Sequence, residues 1–178
     1  MKFKALVSSE IDKKYESKVQ SRTIQDLPEG DVLIKVHFSS LNYKDALSAI
    51  GNKGVSRNYP HTPGIDAAGV VETSESQNFQ AGEEVIVTGY DLGMNTSGGF
   101  SEYIRVPSAW VVKKPDFISL SDSMALGTAG LTAGLCVRKL LNYELTPDSG
   151  KLFVTGATGG VGIVAMMLLS KLGFDVVA

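Results

Sequence analysis

The segment VTGATGGVG, Val154 to Gly162, crowds glycines between a strand-like apolar run, KLFVTG, and a helix-like one, VGIVAMMLLSKLG. A helix N-terminus presents unpaired backbone N–H groups and a partial positive charge, so a tight turn entering it can hold a pyrophosphate closely when no side chains block the approach. On the G-x-G-x-x-G pattern the best alignment places Ala157, Gly159 and Gly162, with alanine in the first position; Gly156 and Gly160 add freedom beside it. The strand–turn–helix context favours a dinucleotide cradle built by Thr158, Gly159, Gly160, Val161, Gly162 and Ile163. The competing reading is a glycine turn that serves only close helix-to-sheet packing. The residue that would separate NAD from NADP normally lies past the end of the next strand. Asp175 falls at that strand's start, so these residues do not select between the two.

A zinc site needs three or four Cys, His or carboxylate ligands converging on one point. The chain offers Cys136, His37 and His61, and they do not make such a set, so no metal is expected. Cys136, in an apolar helix, reads as a buried small hydrophobe. His61, in YPHTPG, reads as a loop residue at the rim of a cleft.

The elements that must carry these residues change character along the chain. In DVLIKVHFSS, Val32, Ile34, Val36 and Phe38 alternate with Leu33, Lys35 and His37, the period of a half-buried strand. FKALVSS, AAGVVETS, EEVIVTGY and FSEYIRVP read as further strands, separated by the turn clusters LPEGD, QAGE and MNTSGG. Short strands at this spacing suggest a small barrel or sandwich. Beyond Pro115 a helical stretch begins, with Ser121 as its cap and Leu131, Leu135, Val137 and Leu140 as its periodic residues. Its glycines predict a break near GTAG. KLFVTG then reads as a strand buried on both faces, VGIVAMMLLSKLG as a helix capped by Gly173, and FDVVA as the start of another strand. That is one βαβ unit, and one unit cannot complete a dinucleotide site, so the cradle is expected to belong to a larger domain.

Composition narrows the partners. A hydrophobic share of 43%, a charged share of 20% and a net charge of −2 give no electrostatic reason to expect nucleic acid or an anionic membrane. A single cysteine excludes an internal disulfide and suits a reducing compartment. The apolar run after MKFK is short for a signal peptide and Val161–Leu169 is short for a span, so a cytoplasmic protein is expected.

Taken in order, SSLNYKDAL, TPGIDAAGVV, AGEEV, GGFSEYIRVP, GTAGLTA and VTGATGGVG resemble the medium-chain dehydrogenase/reductase superfamily. Within it they are similar to the zinc-free quinone oxidoreductase branch, in the subgroup holding acrylyl-coenzyme A reductases and quinone oxidoreductases. The resemblance implies an α/β chain with a β-rich part: a GroES-like barrel catalytic domain over 1–120, then linking helices and the start of a Rossmann domain over 121–178. It implies NADPH as cofactor, an enoyl thioester, enone or quinone as small-molecule substrate, and a homodimer for the complete protein. Zinc-dependent relatives use a cysteine near Asn42 and a His-Glu pair near Ile65 and Asp66, and those ligands are missing here.

Without a Lewis acid, alcohol oxidation loses its means of acidifying the hydroxyl, whereas hydride addition to an electrophilic alkene or quinone remains feasible. That reaction needs hydrogen-bond donors at the carbonyl oxygen and a proton source. LNYKDAL supplies the densest set of candidates. By resemblance Asn42 and Asp45 match an Asn-x-x-Asp pattern at the cleft, and Tyr43 lies near the nicotinamide, either donating a proton or packing on the ring. Lys44 orients an anionic substrate or is simply solvated. Asp66 holds the former zinc position or is a turn carboxylate, and Thr128 seats the nicotinamide or caps a helix. The alternative function is an NADPH-binding module with little turnover.

Overall fold

The computed structural model describes residues Met1–Ala178, which divide into two compact units, Met1–Ala125 and Leu126–Ala178. The first unit contains β1 (Lys2–Ile11), β2 (Lys14–Thr23), β3 (Val32–Phe38), α1 (Tyr43–Ala49), β4 (Asp66–Ser74), β5 (Glu84–Thr88), β6 (Tyr103–Val106) and β7 (Val111–Lys113). Five of these strands form one antiparallel sheet in the order β6-β3-β4-β5-β7. The β1–β2 hairpin docks through β1, whose Leu6 N–H donates to Phe100 O at 2.8 Å and whose Ser8 exchanges backbone bonds with His61.

The alternation in β3 decides where its side chains go. Val32 and Ile34 enter the main core with Val71, Val85, Val87 and Ile104. Leu33, on the opposite face, enters a second core with Phe3, Ala5, Val7 and Tyr103. Both faces of the strand's first half are therefore covered, and Lys35, His37 and Phe38 of its second half reach solvent. Truncating Ile34 to alanine would cost about 2–5 kcal/mol, the usual range for emptying a packed aliphatic site.

The strand β2 carries no apolar signal; most of KYESKVQSRT is exposed. The hairpin is set instead by its turn, where Asp12 and Lys13 take positive φ of 51° and 62°, the left-handed pair that a tight two-residue connection needs.

A long helix, α2 (Leu120–Asn142), begins on the first unit, where Leu120 and Met124 pack on Ala68 and Ile86 of the sheet's outer face. Its cap is Ser119, not Ser121: the Ser119 hydroxyl accepts the Asp122 N–H at 3.0 Å and donates to the Asp122 carboxylate at 2.6 Å. The expected break is present at Gly127, with φ 48° and ψ −151°. By length and composition this helix could cross a membrane. The break, however, leaves a straight part from residue 128 to residue 142 of about 22 Å, short of the roughly 30 Å of a hydrocarbon core.

The second unit adds β8 (Leu152–Phe153), α3 (Gly160–Lys171) and β9 (Val176–Val177), with β8 and β9 parallel: a βαβ unit. Its core joins Val137, Leu169 and Phe174, with Leu140, Leu152 and Val176 packed against them. The buried stripe of α2 runs through Ala133, Val137 and Leu140, spaced by four and three. Leu131 and Leu135 lie off that stripe and are exposed, as is Cys136, contrary to expectation. The β8 strand is covered on one face only; Phe153 is 69% exposed, so the reading of a strand buried on both faces is corrected. Gly173, φ 89°, ends α3 as expected.

Candidate functional site

The LNYKDAL segment forms the start of α1, with Asn42 as its cap residue. Asp45, in the third helical position, reaches back so that one carboxylate oxygen accepts the Asn42 N–H at 2.8 Å. The other oxygen accepts the Ile65 N–H at 2.9 Å. Asn42 in turn donates its side-chain amide to the Asp66 carboxylate at 2.9 Å, and the Ser40 hydroxyl donates to the same oxygen at 2.7 Å. The bonds close a ring through Asn42, Asp45, Ile65 and Asp66. Asp45 and Asp66 are both buried, at 1% and 0% exposure. Such groups persist in a core only when hydrogen-bonded, and these are.

Burial pushes the Asp45 carboxyl above its usual range; the N–H donors of Asn42 and Ile65 oppose that shift and the nearby Asp66 charge adds to it. Asp45 is thus a fixed acceptor that holds the helix start to the edge of β4. Asp66 is the first residue of that strand and no turn carboxylate. Tyr43, next to Asn42, is 80% exposed, so the ring of bonds pins the backbone of a side chain that itself faces solvent. Lys44 is exposed beside it.

Two contributors were not anticipated from sequence. Ser39 and Ser40 both serve Asp66: the Ser39 hydroxyl donates to the Asp66 backbone oxygen at 2.7 Å, and Ser40 to its side chain. Their signal was the Ser-Ser pair opening SSLNYKDAL. Gly99 supplies the space: a Cβ there would lie 2.3 Å from Asp66 O and 2.8 Å from Ser39 Oγ.

His61 is buried at 5% exposure and not at a rim. Its backbone pairs with Ser8, and its Nε2, facing the Gly93 carbonyl at 2.9 Å, must carry the proton. Burial lowers its pKa; the Gly93 bond and the Asp91 charge oppose that. His37 is exposed and Cys136 lies in the other unit. No three His, Cys, Asp or Glu side chains converge as a metal site.

In the second unit the turn between β8 and α3 is tight and rich in glycine. Gly156 takes φ 63°, and its carbonyl accepts the Gly159 N–H at 2.9 Å. The first helical bond in this turn is from Ile163 N–H to Gly159 O, so the N–H groups of Gly160, Val161 and Gly162 precede it. Thr158, Gly159, Gly160, Val161 and Ile163 are exposed around them. Gly162 is the buried member: a Cβ on it would sit 2.2 Å from Gly156 O. Thr128, just past the α2 break, is half-buried and accepts the Thr132 hydroxyl at 2.8 Å on its carbonyl.

The first unit is an antiparallel sheet with a docked hairpin and a pinned Asn-x-x-Asp helix start, and the second a βαβ unit with a glycine turn. The alcohol dehydrogenase GroES-like domain model matches residues 28–116, and the chain belongs to that family, within the medium-chain dehydrogenase/reductase superfamily. It is 48% identical over 174 residues to a protein of Escherichia coli K12 named as a probable acrylyl-CoA reductase, AcuI, covering 98% of this chain and 54% of that protein. It is 48% identical over 160 residues to a Bacillus subtilis protein named provisionally as quinone oxidoreductase YhfP, covering 90% of this chain and 48% of that one. The crystal structure of that YhfP with NAD bound superposes with a TM-score of 0.94 at 44% identity, covering 99% and 54% of the two chains. The yhdH oxidoreductase of Salmonella enterica in complex with NADP superposes with a TM-score of 0.95 at 46% identity, with the same coverage of 99% and 54%. The chain spans about half the length of the curated relatives it matches.

Proposed function

We propose that the protein is a zinc-independent, NADPH-dependent oxidoreductase that reduces an activated C=C bond, as in an acrylyl-coenzyme A-like thioester, or a quinone. The observation that carries the reading is the glycine cradle. Gly162 admits no side chain, and the exposed first turn of α3 leaves three backbone N–H groups ahead of the first helical bond. The N–H groups are the donor set that a pyrophosphate requires, and Gly162 lets the helix start pack directly on the Gly156 carbonyl. Bound there, NADPH would supply hydride. The choice of NADPH over NADH follows from the resemblance and from the NADP-bound Salmonella relative; the NAD-bound Bacillus relative marks the alternative that a titration decides.

The zinc-independent part of the reading is supported by the Asp66 carboxylate. Where the resemblance places the ligands of zinc-dependent relatives, this chain has Asn42, Ile65 and Asp66, and the Asp66 carboxylate oxygen is occupied by the neutral donors of Asn42 and Ser40. Residues 1–120 are read as the catalytic domain and 121–178 as linking helices with the start of the cofactor domain. Asn42 and Asp45 act as positioning residues, because their polar atoms are engaged with backbone and with Asp66. Tyr43 is the exposed group free to meet a substrate or the nicotinamide. The complete protein is read as a homodimer.

The test is NADPH consumption with acrylyl-coenzyme A and with a quinone, repeated after treatment with a chelator. Turnover unaffected by the chelator supports the proposal. Tyr43→Phe with unchanged turnover would remove the phenol from the acid role and leave it a packing surface. Affinity for NADPH without consumption would make the protein a binding module.

A further inference from the structure

The β5 strand ends in an unusual way. Gly89 and Tyr90 follow each other in the left-handed region, with φ of 81° and 54°. Glycine accepts that conformation freely, but a tyrosine there is a conformational outlier that persists only where its surroundings enforce it. They do so here. On one side the Gly89 N–H donates to Ile65 O at 3.3 Å. On the other, the Asp91 carboxylate accepts Asn95 Nδ2 and the Thr96 hydroxyl, both at 3.0 Å, and Leu92 is fully buried.

The ring held in this way is not used to fill a core. Tyr90 is 62% exposed and its hydroxyl has no partner in the protein. It lies parallel to Trp110, with centroids 5.4 Å apart and an interplanar angle of 8°. Trp110 is itself anchored against the main core. The backbone beneath is adjacent to the site already described: Thr88, two residues before Tyr90, pairs in register with Asp66.

We propose that the Tyr90–Trp110 stack is a binding wall for a flat conjugated ring, a quinone, which extends the stack on the exposed face of Tyr90. The choice of a quinone as occupant rests on the oxidoreductase reading above. It deepens that reading, because a parallel aromatic platform favours a ring with an extended π face.

Trp110 is the sole tryptophan of the chain, so its emission reports the stack directly. The test titrates the protein, without NADPH, with duroquinone, whose four methyl groups prevent thiol addition at the exposed Cys136. Cyclohexane-1,4-dione serves as the saturated comparator. Saturable quenching by duroquinone alone is expected. Tyr90→Phe keeps the affinity, and Tyr90→Asn, which tolerates the left-handed backbone but lacks the ring, weakens it about twofold to tenfold. Tyr90→Gly, which removes the conformational strain as well as the ring, gives the same result if the asparagine variant does not fold. Quenching that rises linearly without saturation, an equal response to the saturated dione, or unchanged affinity in both ring-deleted variants would overturn the proposal. NADPH affinity, measured separately, distinguishes the two readings: if it is retained while duroquinone fails, the oxidoreductase stands and the wall falls.

Discussion

Replacing Asp45 by alanine tests whether the bonded ring holds the site together. The side chain accepts two backbone N–H groups in positions of different exposure. Ile65 is 4% exposed, so its N–H would be left without a partner, at about 1–3 kcal/mol. The Asn42 N–H, at a half-buried helix start, can turn to water, and its loss resembles that of a capping bond, about 1 kcal/mol. The expected destabilisation is therefore about 2–4 kcal/mol, a fall of roughly 4–16 °C in thermal midpoint for a chain of this size. Asp45→Asn keeps the shape and one acceptor oxygen and should lose about half as much. Burial raises the Asp45 pKa in the folded state. The native protein then holds this proton more tightly than the unfolded chain, and stability contributed by Asp45 falls as pH rises through the raised value. Asp45→Asn should flatten that dependence. Thermal melts followed by circular dichroism across a pH series measure both effects, and an alanine variant within about 0.5 kcal/mol of the parent would refute the reasoning.

The same melts examine His61 from the acid side. Burial lowers its pKa below the ordinary value, so the unfolded chain binds the proton first, and stability should drop as pH falls through the ordinary histidine range toward the lowered value. His61→Gln should lose that dependence. Gly162→Ala places a Cβ against the Gly156 carbonyl and should cost about 1–3 kcal/mol by overpacking; an NADPH titration of the variant should show weakened binding beside the lowered midpoint. Asn42→Ala removes a donor from the buried Asp66 carboxylate and should destabilise by about 1–3 kcal/mol, read by urea denaturation, with Asn42→Asp worse because it sets a second carboxylate there.

Much of the architecture was legible because burial and period agree. In β3 the alternation of Val32 and Ile34 with Leu33 feeds two cores, and the GTAG glycines did mark a break in α2. What escaped detection had other causes. The β2 strand is polar because it is an exposed partner of β1, and its Asp12–Lys13 turn lacks the glycine that usually announces such a hairpin. Ser119 and Ser121 are equivalent by type, and only the geometry at Asp122 selects the first. Cys136 and Leu135 looked buried because residues 123–137 of the helix carry no charge, while its packed stripe runs through Ala133 and Val137. The site was visible as a motif, but its wiring was not. The bond from Asn42 to Asp66 joins positions distant in sequence, and no local pattern encodes it.

Whether the glycine cradle serves a reductase is read from the reduced nicotinamide absorbance during incubation with NADPH and an acceptor. The expected result is NADPH oxidation that depends on acrylyl-coenzyme A or duroquinone, persists in the presence of a chelator and is weakened in Gly162→Ala. A folded protein that oxidises NADPH with neither acceptor would contradict it, whether or not it binds the cofactor.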